Sequence, residues 1–116
     1  MDTRTKIVPA EEASRLALSG VTVVSGYFDP LLAAHAERLG QLKREGTPLL
    51  VAIAEPSHPI LPARARAELV AGLAAVDYVA ESLHGLTPET HLEDEDERRL
   101  EDLIAHVHAR SLRARP

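Results

Sequence analysis

The chain has 116 residues, no cysteine and a formal net charge of −5. This length fits one domain, predicted over residues 1–116, and the lack of cysteine excludes disulfides, thiolate nucleophiles and zinc sites built on cysteine. The acidic balance argues against a nucleic-acid partner. No apolar run approaches the roughly 20 residues that cross a bilayer, and no apolar stretch follows the first six residues, so we expect a cytoplasmic protein without a membrane partner.

The first predicted elements are a helix and a buried strand. Pro9, followed by Glu11 and Glu12, is typical of a helix N-terminus, and Gly20 is typical of the position just past a helix. The β-branched run that begins at Val21 is too short for a helix and apolar nearly throughout. It therefore predicts a buried parallel strand over residues 21–25.

Helices and strands then alternate along the chain. Asp29 and Pro30 are predicted to open a helix, with Asp29 as its cap, and apolar residues continue at helical spacing as far as Lys43. Strands predicted at residues 49–54 and 77–80 flank another helix at 62–75. This alternation indicates an α/β fold of three layers, with a parallel sheet and helices on both faces.

The last predicted element is one long amphipathic helix. Thr90 and Glu93 fit a capping box at its start. The acids at residues 93–97 are predicted to form a solvated helix start, because consecutive acids point around a helix and do not converge on a metal. No metal site is therefore expected here. The helix carries an apolar stripe that consists of Leu100, Leu103, Ile104 and Val107.

The candidate site lies after the first strand, since ligands on parallel sheets bind beyond the carboxyl ends of the strands. Free N–H groups at the start of the following helix favour an anion, and His35 is close enough to point at a bound phosphate. The simpler alternative is a tight turn with a partly buried histidine, because a single histidine is weak evidence for a site.

The segment from Gly26 to His35 has the sequence G-Y-F-D-P-L-L-A-A-H. It resembles the first signature of the cytidylyltransferase-like nucleotidyltransferases, G-x-F-D-x-x-H-x-G-H, which follows the first strand in that family. From Lys6 to Glu89, the order and spacing of further segments resemble the bacterial heptose-phosphate adenylyltransferase domain of this family. The resemblance therefore covers most of the chain.

The resemblance implies a Rossmann-like fold and transfer of AMP or CMP from ATP or CTP to a phosphorylated sugar or polyol. The acceptor phosphate would attack the α-phosphorus in line and pyrophosphate would leave, usually with Mg²⁺. It implies His35 as the catalytic residue. The nucleotide-binding residues that it implies are Gly26, Tyr27, Phe28, Asp29, His35 and Arg66.

The sequence departs from the family pattern at several points. Leu32 replaces the first signature histidine and Ala34 replaces the signature glycine, so His35 is the histidine that remains. The loop after the second strand contains Glu55 and no lysine, and the family's later strand and nucleotide signature are missing, so we expect a sheet truncated at its C-terminal end. Losing one phosphate donor typically lowers the rate about 10²–10³-fold. We therefore expect a degenerate domain that is catalytically impaired.

Three functions remain open from the sequence. The chain is a divergent nucleotidyltransferase that uses His35, a pseudoenzyme that binds a nucleotide or a phosphorylated small molecule or an active paralogue, or an oligomerisation unit without a ligand. Leu32 favours the second and third over the first, because leucine donates no hydrogen bond to phosphate. The edges of a three-stranded sheet and the apolar stripe of the last helix predict a homodimer.

Overall fold

A computed structural model describes the backbone of residues 2–113 and the side chains of residues 2–107. The sheet has four parallel strands in the order β3-β2-β1-β4. After a 3₁₀ turn at Thr3–Lys6, the elements are α1 (Ala10–Leu18), β1 (Thr22–Gly26), α2 (Ala33–Leu42), β2 (Leu49–Ile53), α3 (Ala63–Ala71), β3 (Tyr78–Ala80), β4 (Thr90–His91) and α4 (Leu92–Arg113).

The predicted three-layer α/β fold is confirmed, with helices on both faces of a parallel sheet. The connections β1-α2-β2 and β2-α3-β3 run in the same direction, so right-handed crossovers place α2 and α3 on one face. That face buries Leu39 of α2, Val70 of α3 and Leu92 of α4. The opposite face is covered by α1 through Ala13.

Sequence analysis predicted three strands and missed β4. The missing strand is only two residues long, and it pairs Thr90 with Val24 and His91 with Ser25 along the free edge of β1. No hydrophobic alternation is detectable over two residues, which explains the omission. β4 carries the chain across the carboxyl end of β1 and directs α4 over that end.

The start of α2 differs from the prediction. Leu32 is extended, with φ −110° and ψ 161°, and the helix begins at Ala33, so Asp29 is not its cap. The Asp29 carboxylate instead accepts the N–H groups of Ile60 at 2.7 Å and Leu61 at 2.8 Å. The Ile60 N–H is the largest cause of the lowered pKa of Asp29. Asp29 therefore fastens the loop between β2 and α3 to the turn after β1.

The later turns of α4 extend past the sheet. The four residues of the apolar stripe are between 56% and 60% exposed, so this part of the helix does not cover the sheet of its own chain. Within the described residues, no helix has the length and apolarity needed to cross a membrane.

Candidate active site

The candidate site is a cavity of about 460 Å³ at the carboxyl end of the sheet. Chain order reverses between β1 and β4, and this switch point is where ligands bind on open parallel sheets. The turn after β1 contributes Tyr27, the loop after β2 contributes His58, and α4 contributes Asp96 and Leu100. The cavity therefore lies where the fold predicts a ligand site.

The turn after β1 is shaped by a glycine and a buried ring. Phe28 has a positive φ of 51° and is fully buried. A Cβ atom on Gly26 would lie 2.6 Å from Cζ of the Phe28 ring, so only glycine leaves room for it. The ring also meets the imidazole of His35 edge-on, with centroids 5.4 Å apart. Gly26 and Phe28 thus position His35 and do not line the cavity.

Both ring nitrogens of His35 have partners within the chain. Nδ1 accepts the backbone N–H of Leu32 at 2.9 Å, so this nitrogen carries no proton. Nε2 then carries the proton and donates it to Oδ1 of Asp96 at 2.8 Å. The imidazole is buried and fixed as its Nε2–H tautomer. The one N–H group of the neutral ring therefore already donates to a carboxylate of α4.

The acidic start of α4 is solvated only in part: Asp94 and Glu97 are exposed as predicted, whereas the other acids of residues 93–97 have partners in the chain. Its first turns pack against α2, where Glu95 pairs with Nε of Arg38 at 3.0 Å and Asp96 holds His35. Arg99 approaches the same Asp96 oxygen at 3.2 Å. The consecutive acids Glu95 and Asp96 face different partners, because successive residues of a helix point about 100° apart.

A second polar cluster joins β1, β4 and α4. Oγ of Ser25 donates to Oε1 of Glu93 at 2.6 Å, and Nδ1 of His91 lies 3.0 Å from that hydroxyl and 2.9 Å from the same carboxylate oxygen. The predicted capping box between Thr90 and Glu93 is therefore wrong, because Thr90 belongs to β4 and Glu93 turns inward. Ser25 is fully buried and none of these three residues lines the cavity, so we assign the cluster a structural role.

Arg66 is fully buried beneath the site. Its guanidinium donates to the carbonyls of Leu61, Tyr27 and Ala54, at 3.0, 3.2 and 2.8 Å, and to Oε2 of Glu55 at 3.0 Å. One side chain thus holds together the turn after β1, the end of β2 and the start of α3. Four of the five N–H donors of this guanidinium are occupied, which leaves Arg66 a positioning residue in this structure.

Of the six residues implied as nucleotide-binding, the structure brings three to the cavity wall. These are Tyr27, Asp29 and His35. Whether any of the six binds a nucleotide stays a prediction. The wall also contains Leu32, which is 49% exposed at the position of the missing signature histidine.

Sequence analysis missed Asp96 as a site residue. The signal was present in the spacing of α4, since Leu92, Asp96 and Leu100 follow each other at intervals of four residues. An acid in an inward-facing position of an apolar row needs a buried partner. That partner is His35. Among the described residues, no group of three or more histidine, aspartate or glutamate side chains is arranged to hold a metal ion.

The chain is similar in sequence to part of a curated protein. No family model matches the chain. It is 35% identical over 82 residues to the Bifunctional protein HldE of Chromohalobacter salexigens. The matched segment is 63% of this chain and 17% of that protein, so the chain resembles a minor part of a longer protein. The similarity and the parallel sheet together support a nucleotidyltransferase-like, Rossmann-like α/β domain.

Proposed function

We propose that this chain is a cytidylyltransferase-like domain. It binds a small molecule at its former nucleotide site but does not carry out proficient nucleotidyl transfer. The observation that carries the proposal is the state of His35, the signature histidine that remains. Its Nδ1 and Nε2 are both engaged inside the chain, and Asp96 stands at 2.8 Å where a phosphate oxygen would need to approach.

The charges around the cavity also oppose a triphosphate. A phosphate oxygen that replaced Asp96 would have to displace a carboxylate already bonded to His35 and Arg99. Leu32 offers that oxygen no donor. Transition-state charge in this reaction is stabilised by converging donors and cations, and each one lost lowers the rate by about two to three orders of magnitude.

The residues present do not fit the Mg²⁺ that accompanies the nucleotide in this family. Mg²⁺ prefers free carboxylate oxygens and retained water. At the cavity wall, both oxygens of Asp29 accept backbone N–H groups, and Oδ1 of Asp96 accepts from His35 and Arg99, so Oδ2 of Asp96 is the carboxylate oxygen left over. Among the described residues, no group of three or more acids or histidines is arranged to hold a metal ion with it. We therefore assign this chain no step that depends on the metal.

The test is pyrophosphate release by the purified chain with Mg²⁺, ATP or CTP, and heptose or glycerol phosphates. We expect no release above background. The double variant Leu32→His with Ala34→Gly restores a phosphate donor and the close backbone approach. Because a hydrogen bond to a charged group contributes about 1.5–3 kcal/mol, this variant should bind ATP or CTP at least about tenfold more tightly.

The single variant Leu32→Met is the matched control, since it keeps an apolar side chain of similar volume and adds no donor. Brisk pyrophosphate release by the wild-type chain would overturn the proposal. Equal nucleotide binding by the double variant and the control would show that the cavity is not a former nucleotide site.

A second candidate function, self-association, is favoured by the exposed stripe of α4. The stripe is symmetric about its midpoint, so two copies crossing antiparallel pair Leu100 with Val107 and Leu103 with Ile104. An isologous contact needs such self-complementarity. We therefore propose that a second copy of this chain packs against the stripe.

Sedimentation equilibrium tests this candidate. We expect twice the 12.6 kDa mass of one chain, and monomers for Ile104→Glu, because burying an unpaired carboxylate opposes the contact. Leu18→Glu is the control, since Leu18 is 90% exposed on α1, away from the stripe. A wild-type monomer at high concentration contradicts the candidate.

A further inference from the structure

The cavity has an apolar body and few polar groups. Its volume of about 460 Å³ is within the range of small-molecule sites, roughly 300–1,000 Å³. Leu32 forms the wall on the side of α2, Ile60 on the side of the loop after β2, and Leu100 and Leu103 on the side of α4. The three leucines and the isoleucine are all about half exposed or more. An apolar ligand would bury Leu32 and Ile60, whereas Leu100 and Leu103 also belong to the stripe proposed above to contact a second copy of the chain.

The two carboxylates of the wall already have partners within the chain. Asp29 accepts two backbone N–H groups, and Asp96 accepts from His35 and Arg99. The Ile60 N–H, helped by that of Leu61, lowers the pKa of Asp29, so this carboxylate stays ionised. The arginine of the wall, Arg99, lies 3.2 Å from Oδ1 of Asp96 and is 49% exposed, so water screens the positive charge that it offers an incoming anion.

The hydroxyl of Tyr27 indicates that the electrostatic potential in the cavity is negative. Burial is the first cause that raises the pKa of this hydroxyl, and the carboxylates of Glu97, Glu93, Asp94 and Asp96 raise it further. A phenolate at this position is therefore opposed by the acids of α4. The same field would oppose any anionic ligand in the cavity, since like charges in a partly desolvated site repel each other strongly.

We propose that the cavity binds an aromatic or apolar small molecule without negative charge, and that Asp96 is the residue that excludes anions from it. This inference rests on the proposed function, because it names the ligand class that the same site takes once a triphosphate is excluded. Leu32 then has a positive role: it supplies apolar contact where the family signature supplies a phosphate donor.

A pair of fluorescent dyes tests the proposal directly. N-phenyl-1-naphthylamine and 8-anilino-1-naphthalenesulfonate share an aromatic body, and only the second carries a sulfonate. We expect the wild-type chain to bind the neutral dye about tenfold more tightly, which corresponds to about 1.4 kcal/mol. Equal or tighter binding of the sulfonate, or no binding of the neutral dye, would overturn the proposal.

Three variants test whether the preference for the neutral dye arises in the cavity. Asp96→Asn keeps an oxygen that accepts from His35 but removes the charge, so it should reduce the preference for the neutral dye several-fold. Asp102→Asn removes the same charge from an exposed position of α4 and should leave the preference unchanged. Leu32→Arg adds a cation at a half-exposed wall position and should favour the sulfonate.

If both asparagine variants reduce the preference for the neutral dye equally, the preference arises from the total charge of α4. That result would overturn the role of Asp96. The two proposals fail separately. Tight sulfonate binding without pyrophosphate release overturns only the ligand class, whereas pyrophosphate release from ATP or CTP overturns the loss of transfer.

Discussion

Replacing Arg66 by alanine should lower the free energy of unfolding by about 3–5 kcal/mol. The variant removes the donors of three backbone carbonyls, and an unsatisfied buried acceptor costs about 1–3 kcal/mol. It also leaves a void where a fully buried side chain stood. The guanidinium holds the loops that form the cavity together with the Asp29 carboxylate, so ligand binding should weaken as well.

Denaturant unfolding followed by circular dichroism measures this effect. Arg64→Ala is the matched control, two residues earlier in α3, because Arg64 is 54% exposed and pairs with Glu68 and Glu81 at the surface. Such exposed pairs contribute about 0–1 kcal/mol. Equal losses for the two variants would mean that the buried network of Arg66 does not stabilise the fold.

Gly26→Ala should destabilise the domain by about 1–3 kcal/mol, the usual cost of overpacking a core. The added methyl group would lie 2.6 Å from the ring of Phe28, which is fully buried and cannot move aside without displacing His35. The substitution should therefore also weaken the contact between His35 and Asp96.

Gly40→Ala is a control that should change the stability of the domain in the opposite direction. Gly40 lies inside α2, and a Cβ atom there would meet nothing within 4 Å. Alanine in a helix interior is favoured over glycine by about 0.5–1 kcal/mol, so this variant should be more stable than the wild type. Thermal melts compare the two, and stabilisation by Gly26→Ala would contradict the packing described for the turn.

The layers of the fold were predictable because they follow from local patterns. The β-branched run after Gly20, the apolar run before Glu55 and the helical spacing between them specify strands and helices that the structure contains. β4 was not predictable, because a two-residue strand forms only when the long edge of β1 is already in place. The cap assigned to Asp29 failed for a similar reason, since its true partners are 31 and 32 residues away.

The position of the site was predictable from the sequence, but the pairing of its polar side chains was not. The turn from Gly26 to His35 indicates where a ligand site lies, and Leu32 and Ala34 indicate that donors are missing. The bond between His35 and Asp96 joins residues 61 positions apart, and only the packing of α4 brings them together. The apolar row that contains Asp96 was the available indication that this acid faces inward.

The most direct test of the central claim is the protonation pattern of the His35 ring, read from ¹H–¹⁵N spectra at about pH 8, where neutral imidazole predominates. The account predicts a proton on Nε2, an unprotonated Nδ1 that accepts from Leu32, and no change when Mg²⁺ and ATP are added. A proton on Nδ1 would contradict the two hydrogen bonds described for His35. A His35 resonance that shifts on addition of ATP would contradict the claim that this histidine is not free to meet a phosphate.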